Sequence, residues 1–234
     1  LPKSIQIKQG NMCNLKCIMC NQASSSLIQD EINVWKQRGE QIPDWLDWVE
    51  GHEIDWTGID ENTDFDALWD NLKQGLQNTD QLQLVGGEPL INPSTPLILE
   101  RLVAEGYAEN IRVYFISNLI ILTDKLINTL SNFKEVVISV SWDHVDPDKF
   151  YFIRFPGKYS KFRKNIDKLI ASNIEPKVSV TVDIFNIYDI KDIFAEFESI
   201  SHQIQREYTI NLQYVEKPEH LSIRYLELEQ KQEI

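Results

Sequence analysis

Short apolar runs rich in valine and isoleucine recur along this chain, bounded by Gly, Asn, Asp or Pro and separated by stretches of helical period. The runs predict strands near residues 4–8, 81–85, 111–116, 135–141, 177–183 and 208–215. Between them the pattern predicts helices near 21–29, 94–106, 123–131, 158–172 and 188–199. In the fourth of these, Phe162, Ile166, Leu169 and Ile170 stand at i, i+4, i+7 and i+8, the single apolar stripe of a helix buried on one face. Strands that alternate with helices join into a parallel sheet, because each crossover returns the chain to the same end. Six such units predict an α/β fold, a partial (β/α)6 TIM-like barrel with its chemistry at the carboxyl ends of the strands.

One segment breaks the rhythm. From Glu40 to Asp70 there is no Lys or Arg, many Asp and Glu, and the tryptophans Trp45, Trp48, Trp56 and Trp69. Residues 30–78 are therefore expected to form an acidic, Trp-rich insertion within one core domain spanning 1–234. It is either a solvated face with tryptophans tucked against the body or a docking surface. Residues 208–234 are expected to begin a further C-terminal region, since the chain opens on Leu1 and closes on the charged run LELEQKQEI without a turn signal.

Charge narrows the partners. With 23 Lys and Arg against 36 Asp and Glu, the net charge of -13 argues against nucleic acid, whose backbone is held by cations that displace counterions. No run of about 18 apolar residues appears, and the N-terminus lacks a basic-then-apolar signal pattern, so no membrane partner is expected and a cytoplasmic location is.

All three cysteines, Cys13, Cys17 and Cys20, fall in GNMCNLKCIMC, directly after the first strand. Soft thiolates in one short loop favour zinc or an iron-sulfur cluster over magnesium or calcium. Three ligands leave a fourth position open. A structural zinc site closes with four protein ligands, and His52, His144, His202 and His220 all lie far along the chain. A zinc site completed by one of these, and three unrelated buried cysteines, stay open as readings at this point.

The second chemical feature is Gly86-Gly87-Glu88-Pro89, immediately after the strand QLQLV. Two glycines let the backbone approach a ligand without a Cβ in the way, and a carboxylate can accept hydrogen bonds from an ammonium group. With Cys-x3-Cys-x2-Cys upstream, the turn closely resembles the GGEP motif of the radical S-adenosylmethionine (radical SAM) superfamily. The resemblance covers nearly the whole chain and implies that the three cysteines hold a 4Fe-4S cluster and that the GGEP turn binds the methionyl amine of S-adenosyl-L-methionine. Ser117-Asn118 stands where the family often has Thr-Asn-Gly. Ser141 and Asp143, in the run Ser139-Val140-Ser141-Trp142-Asp143, resemble the family's Ser-x-Asp strand ending, from which a serine reaches the cosubstrate. The resemblance further implies that Arg154 pairs with the cosubstrate's carboxylate and that Val180, Val182 and Asn186 pack its adenine. Met19 stands where many relatives have an aromatic, Leu119 where they have Gly, and His144 where Gly is frequent.

Softer motifs, Tyr151 to Pro156, Asn165 and Val215 to Pro218, are most similar to the SPASM/twitch group, whose auxiliary-cluster cysteines have no counterpart in this chain. The resemblance implies an enzyme that takes an electron from a flavodoxin-like or ferredoxin-like donor and cleaves S-adenosylmethionine reductively. The 5'-deoxyadenosyl radical so formed abstracts hydrogen from a peptide or protein side chain. The alternatives are the same chemistry on a small molecule or nucleoside precursor, and a non-catalytic Fe-S or zinc-binding protein.

Overall fold

Six parallel strands, hydrogen-bonded in the order in which the chain makes them, form one open sheet: β1 (Ser4–Lys8), β2 (Gln81–Val85), β3 (Arg112–Ser117), β4 (Glu135–Ser141), β5 (Pro176–Val182) and β6 (Ile210–Tyr214). The computed structural model describes residues 2–46, 64–174, 176–204 and 209–232, leaving Trp48, His52 and Trp56 outside. Right-handed crossovers between sequential neighbours all fall on one side of a sheet. That side carries the core. Leu82, Leu84, Val113, Phe115, Ile138, Val140, Val178, Val180 and Val182 face the helices and are buried with them. The opposite, alternate positions are mostly polar, including Gln6, Gln83, Tyr114, Ser141, Ser179 and Asn211. The register places them in rows, such as Gln6, Gln83 and Tyr114, or Ser141, Ser179 and Asn211. This is the partial barrel expected from the sequence.

The helical layer is α1 (Ser26–Arg38), α2 (Phe65–Leu76), α3 (Ser94–Ala104), α4 (Asp124–Leu130), α5 (Pro147–Ile153), α6 (Tyr159–Ala171), α7 (Ile190–Ile204) and α8 (Leu228–Gln232). Local chemistry sets the ends. Ser25 caps α1 by accepting from the Ile28 N–H, so the helix starts five residues later than the apolar pattern predicts. Residues before it are held in turns, with both the Ser24 and Ser25 N–H groups on the Asn21 carbonyl. Asp146 caps α5 by accepting from the N–H groups of Asp148 and Lys149, with Pro147 at the first helical position. This helix was absent from the sequence expectation.

Of the described tryptophans, Trp69 lies on α2 and belongs to the core. It is buried, its Nε1 donates to Glu105 at 2.8 Å, and the Arg101 guanidinium lies over its ring. Trp142, after β4, meets Phe162 and Phe197 edge-on with centroids 5.0 and 4.4 Å away. Such pairs add about 0.5–1.5 kcal/mol each beyond area burial. Trp45 is 56% exposed.

Candidate active site

The cysteine loop crosses the carboxyl end of the sheet and is held there from two sides. On one side is the GGEP turn. Gly86 and Gly87 have φ of +103 and +46, and a Cβ on them would stand 2.4 Å from the Gly10 carbonyl oxygen and 2.1 Å from that of Met12. The Glu88 N–H then donates to the Met12 carbonyl at 2.8 Å. The glycines thus make room for the cysteine loop itself, a different reason for their presence from the ligand approach expected of them. Below the turn, buried Gln9 donates to the hydroxyls of Ser94 and Thr95 and accepts at its carbonyl from Asn92 Nδ2. The segment Asn92 to Thr95 is a support that the sequence reading missed, although a run of Asn, Pro, Ser and Thr just after the turn is its signal.

On the other side is the segment after α5. The Lys16 N–H donates to the Phe155 carbonyl at 2.6 Å and the Ile18 N–H to the Ile153 carbonyl at 3.0 Å. At the start of α1, the Ser26 N–H donates to the Asn11 carbonyl at 2.8 Å and the Ser26 hydroxyl accepts from the Cys13 N–H at 3.2 Å. Five of the loop's residues, Asn11, Met12, Cys13, Lys16 and Ile18, are in this way tied to three separate elements, β2's turn, α5's end and α1's cap.

The predicted side chains form two connected groups. Glu88 is fully buried and accepts from the Ser117 hydroxyl at 2.8 Å, the Asn118 N–H at 2.6 Å and the Leu90 N–H at 3.0 Å. Burial pushes its carboxyl up to about 7, against the pull of these donors. Three of the carboxylate's lone-pair sites are thereby taken by protein donors, two on Oε1 and one on Oε2. Asn118 continues the line: its Nδ2 donates to Asn14 Oδ1 at 2.9 Å and lies 3.9 Å from Cys13 Sγ.

The second group begins at Cys17. Arg154 Nη1 donates to Cys17 Sγ at 3.6 Å, and Nη2 pairs with Asp143 Oδ2 at 2.5 Å. Asp143 Oδ1 accepts from the Thr181 N–H at 2.7 Å, and the Asp143 carbonyl accepts from Asn186 Nδ2 at 3.1 Å. Arg154 is therefore turned inward, with an aspartate and a thiol as partners, where an open position toward a carboxylate ligand was expected. Burial lowers Arg154's pKa, but Asp143 and the two nearby thiols outweigh it and hold the guanidinium protonated. Asp183, missed by sequence reading, sits beside them with one carboxylate oxygen buried and unpartnered, and burial pushes it up to about 6.

Asn186 is wholly buried and its amide bridges the Asp143 and Thr181 carbonyls. Val180 and Val182 face the helices, on the opposite side of β5 from the open face, and so are core residues rather than an adenine wall. Both ring nitrogens of His144 are engaged, Nδ1 by the Asp146 N–H and Nε2 by Asp189. Ser141 keeps its place on the open face at the end of β4, and Met19 is half-buried in the loop.

The donor set suits an iron-sulfur cluster. A hydrogen bond from Cys20 lowers Cys17 and raises Cys20, while burial pushes Cys13 up to about 12. Three thiols on one pinned loop, with a cation beside one of them, match the needs of a negatively charged thiolate-bound group. Among the described residues, no three His, Cys, Asp or Glu side chains close around a single metal ion. A cavity of about 340 Å³ opens beside Cys17 and Cys20, walled by Trp45, Phe152, Phe155, Phe185 and His220.

Residues 7–198 match the model of the radical SAM superfamily. This chain belongs to that superfamily. No curated protein sequence matches significantly. Among solved structures, the radical SAM core resembles SuiB of Streptococcus suis bound to its precursor peptide SuiA, with a TM-score of 0.59 and 13% identity over 90% of this chain and 39% of that one. It also resembles anSMEcpe with bound AdoMet, with a TM-score of 0.59 and 16% identity over 92% of this chain and 52% of that one. With AdoMet and the Kp18Cys peptide bound, anSMEcpe gives a TM-score of 0.57 and 14% identity, over 92% and 52% of the two chains. The chain thus spans 39% to 52% of the length of these proteins. At such identity the likeness bears on the fold. Among the described residues, no helix of this radical SAM core is long and apolar enough to cross a membrane.

Proposed function

We propose that the chain is the core of a radical SAM enzyme acting on a peptide, with Cys13, Cys17 and Cys20 as the protein ligands of a 4Fe-4S cluster. The observation that carries this reading is the double clamp on the cysteine loop, with Gly86 and Gly87 shaped to the loop backbone on one side and residues 153–155 hydrogen-bonded to it on the other. When bound, the cluster and S-adenosylmethionine would supply radical chemistry for removing a hydrogen atom from the substrate, given one electron from a flavodoxin-like or ferredoxin-like donor. The chain's own part is placement. The clamp fixes the thiols, and the GGEP turn, Ser141 and the polarisable side chain of Met19 are the groups that would hold the cosubstrate.

Two features support a peptide as substrate. The open face of the sheet presents neutral hydrogen-bonding groups such as Gln83, Tyr114 and Asn211, which suit the amides of a peptide backbone. In addition, SuiB and anSMEcpe, whose fold it shares, were each solved with a peptide bound.

Anaerobic reconstitution tests the assignment. The protein should take up iron and acid-labile sulfide, its reduced paramagnetic signal should change on adding S-adenosylmethionine, and dithionite should release 5'-deoxyadenosine. Cys17→Ala should abolish all of these. Retained cleavage in that variant would sink the assignment, and one tightly held zinc without sulfide would replace it.

A further inference from the structure

Arg154 is among the most deeply buried cations of the described chain, and its surroundings do not suit a site for an incoming carboxylate. The residue is 6% exposed, at the C-cap of α5, where its N–H donates to the Phe150 carbonyl at 2.8 Å and its own carbonyl accepts from the Gly157 N–H at 2.7 Å. On either side of it, the Ile153 and Phe155 carbonyls hold the N–H groups of Ile18 and Lys16, the two neighbours of Cys17. Backbone bonds on both flanks therefore fix the guanidinium relative to one sulfur. Its nitrogens are then divided: Nη1 to Cys17 Sγ, Nη2 to Asp143 Oδ2, and a buried Nε without a partner. Asp143 is itself anchored, with its other oxygen on the Thr181 N–H and its carbonyl on Asn186.

We propose that Arg154 is a positioning residue for the cluster, which donates a hydrogen bond and a positive charge to the Cys17 thiolate and raises the cluster's reduction potential, with Asp143 setting how much of that charge is felt. The inference rests on the reading of Cys17 as a cluster ligand. Its physical basis is simple. Reduction adds one electron to a group already negative, and both a nearby cation and a donor on a ligand sulfur stabilise the more negative state. In a buried site that charge is weakly screened. Asp143, as the counter-charge, works in the opposite sense.

The test is a redox titration of the anaerobically reconstituted protein at pH 8, with dithionite and mediators and no S-adenosylmethionine, followed by the paramagnetic signal of the reduced cluster. Arg154→Gln should make reduction at least tenfold less favourable, a shift of about 59 mV to more negative potential for one electron. Arg154→Lys, which keeps the charge, should stay close to the parent. Asp143→Asn, which breaks the same ion pair but leaves the cation uncompensated, should move the potential the other way. That opposition is what a merely structural role cannot produce, since both changes would then loosen the loop and lower iron content together. Loaded variants whose potentials do not move, or move in the same direction, overturn the inference while leaving the cluster assignment intact. If Arg154→Gln takes up no iron, the Asp143→Asn potential decides: unmoved or more negative overturns it. A parent protein that binds no 4Fe-4S cluster overturns the reading of the site, and this inference with it.

Discussion

Replacing Glu88 by glutamine should change how the stability of this fold depends on pH. The carboxyl is fully buried, and burial raises its pKa from the ordinary glutamate range to about 7 despite three protein donors. In the unfolded chain it titrates near its ordinary value, about 4.3. Between these two values the folded state holds a proton that the unfolded state has lost. Stability from this group is therefore complete below the unfolded pKa, falls as pH rises, and is gone above about 7. The size of the swing follows from 1.36 kcal/mol for each unit of difference, which gives about 3 kcal/mol between pH 4 and 8.

Glutamine does not titrate. It also replaces one acceptor oxygen with an amide NH2 that faces donors, a loss of about 1–3 kcal/mol that is independent of pH. The variant should then be the less stable protein at pH 5 and should recover most of that deficit, or overtake the parent, by pH 8. Asp183, which burial also raises, contributes equally to both proteins and cancels in the difference. Urea unfolding of the iron-free proteins, kept anaerobic and reduced, at pH 5, 6, 7 and 8 gives the difference directly. A difference that stays constant across the series would refute the reasoning and mean that Glu88 is ionised throughout, held by Ser117, Asn118 and Leu90.

Three further outcomes follow from the geometry. Gly87→Ala places a Cβ 2.1 Å from a backbone oxygen and should lower both urea midpoint and iron uptake, whereas Gly39→Ala, at φ +66 with nothing within 4 Å, should cost only about 1 kcal/mol and load normally. Equal iron uptake by the two would mean that the turn is not shaped to the cysteine loop. Trp142→Ala removes the ring between Phe162 and Phe197 and should cost about 3–5 kcal/mol in urea unfolding, a value below about 1 kcal/mol contradicting its place in the core. Trp45→Ala, at the exposed wall of the cavity beside Cys17 and Cys20, should leave stability within about 0.5 kcal/mol and substrate-free cleavage of S-adenosylmethionine unchanged while weakening turnover of a peptide. Parallel loss of both activities would tie Trp45 to the cluster and not to docking.

The strands and most helices were legible because their signal is local. An apolar run between turn residues, as in QLQLV before Gly86, states its own boundaries, and all six strands lie within two residues of where the pattern put them. The cysteine loop and the GGEP turn were legible for the same reason. What the sequence concealed was partnership. The pair Gly86-Gly87 announces that a Cβ cannot be tolerated, but whether a ligand or another loop fills the space depends on residues 9–12, far away in the chain. The resemblance makes Val180 and Val182 an adenine wall, but the register of β5 turns them to the helix side of the sheet. Arg154 shows the same limit most clearly. Its partner sulfur lies 137 residues away, and its aspartate belongs to the end of another strand, so nothing in Tyr-Phe-Ile-Arg-Phe-Pro-Gly says which way the guanidinium turns. The sequence reports that an arginine is present, but only the packing of α5 against the cysteine loop decides that it is buried and faces a thiol.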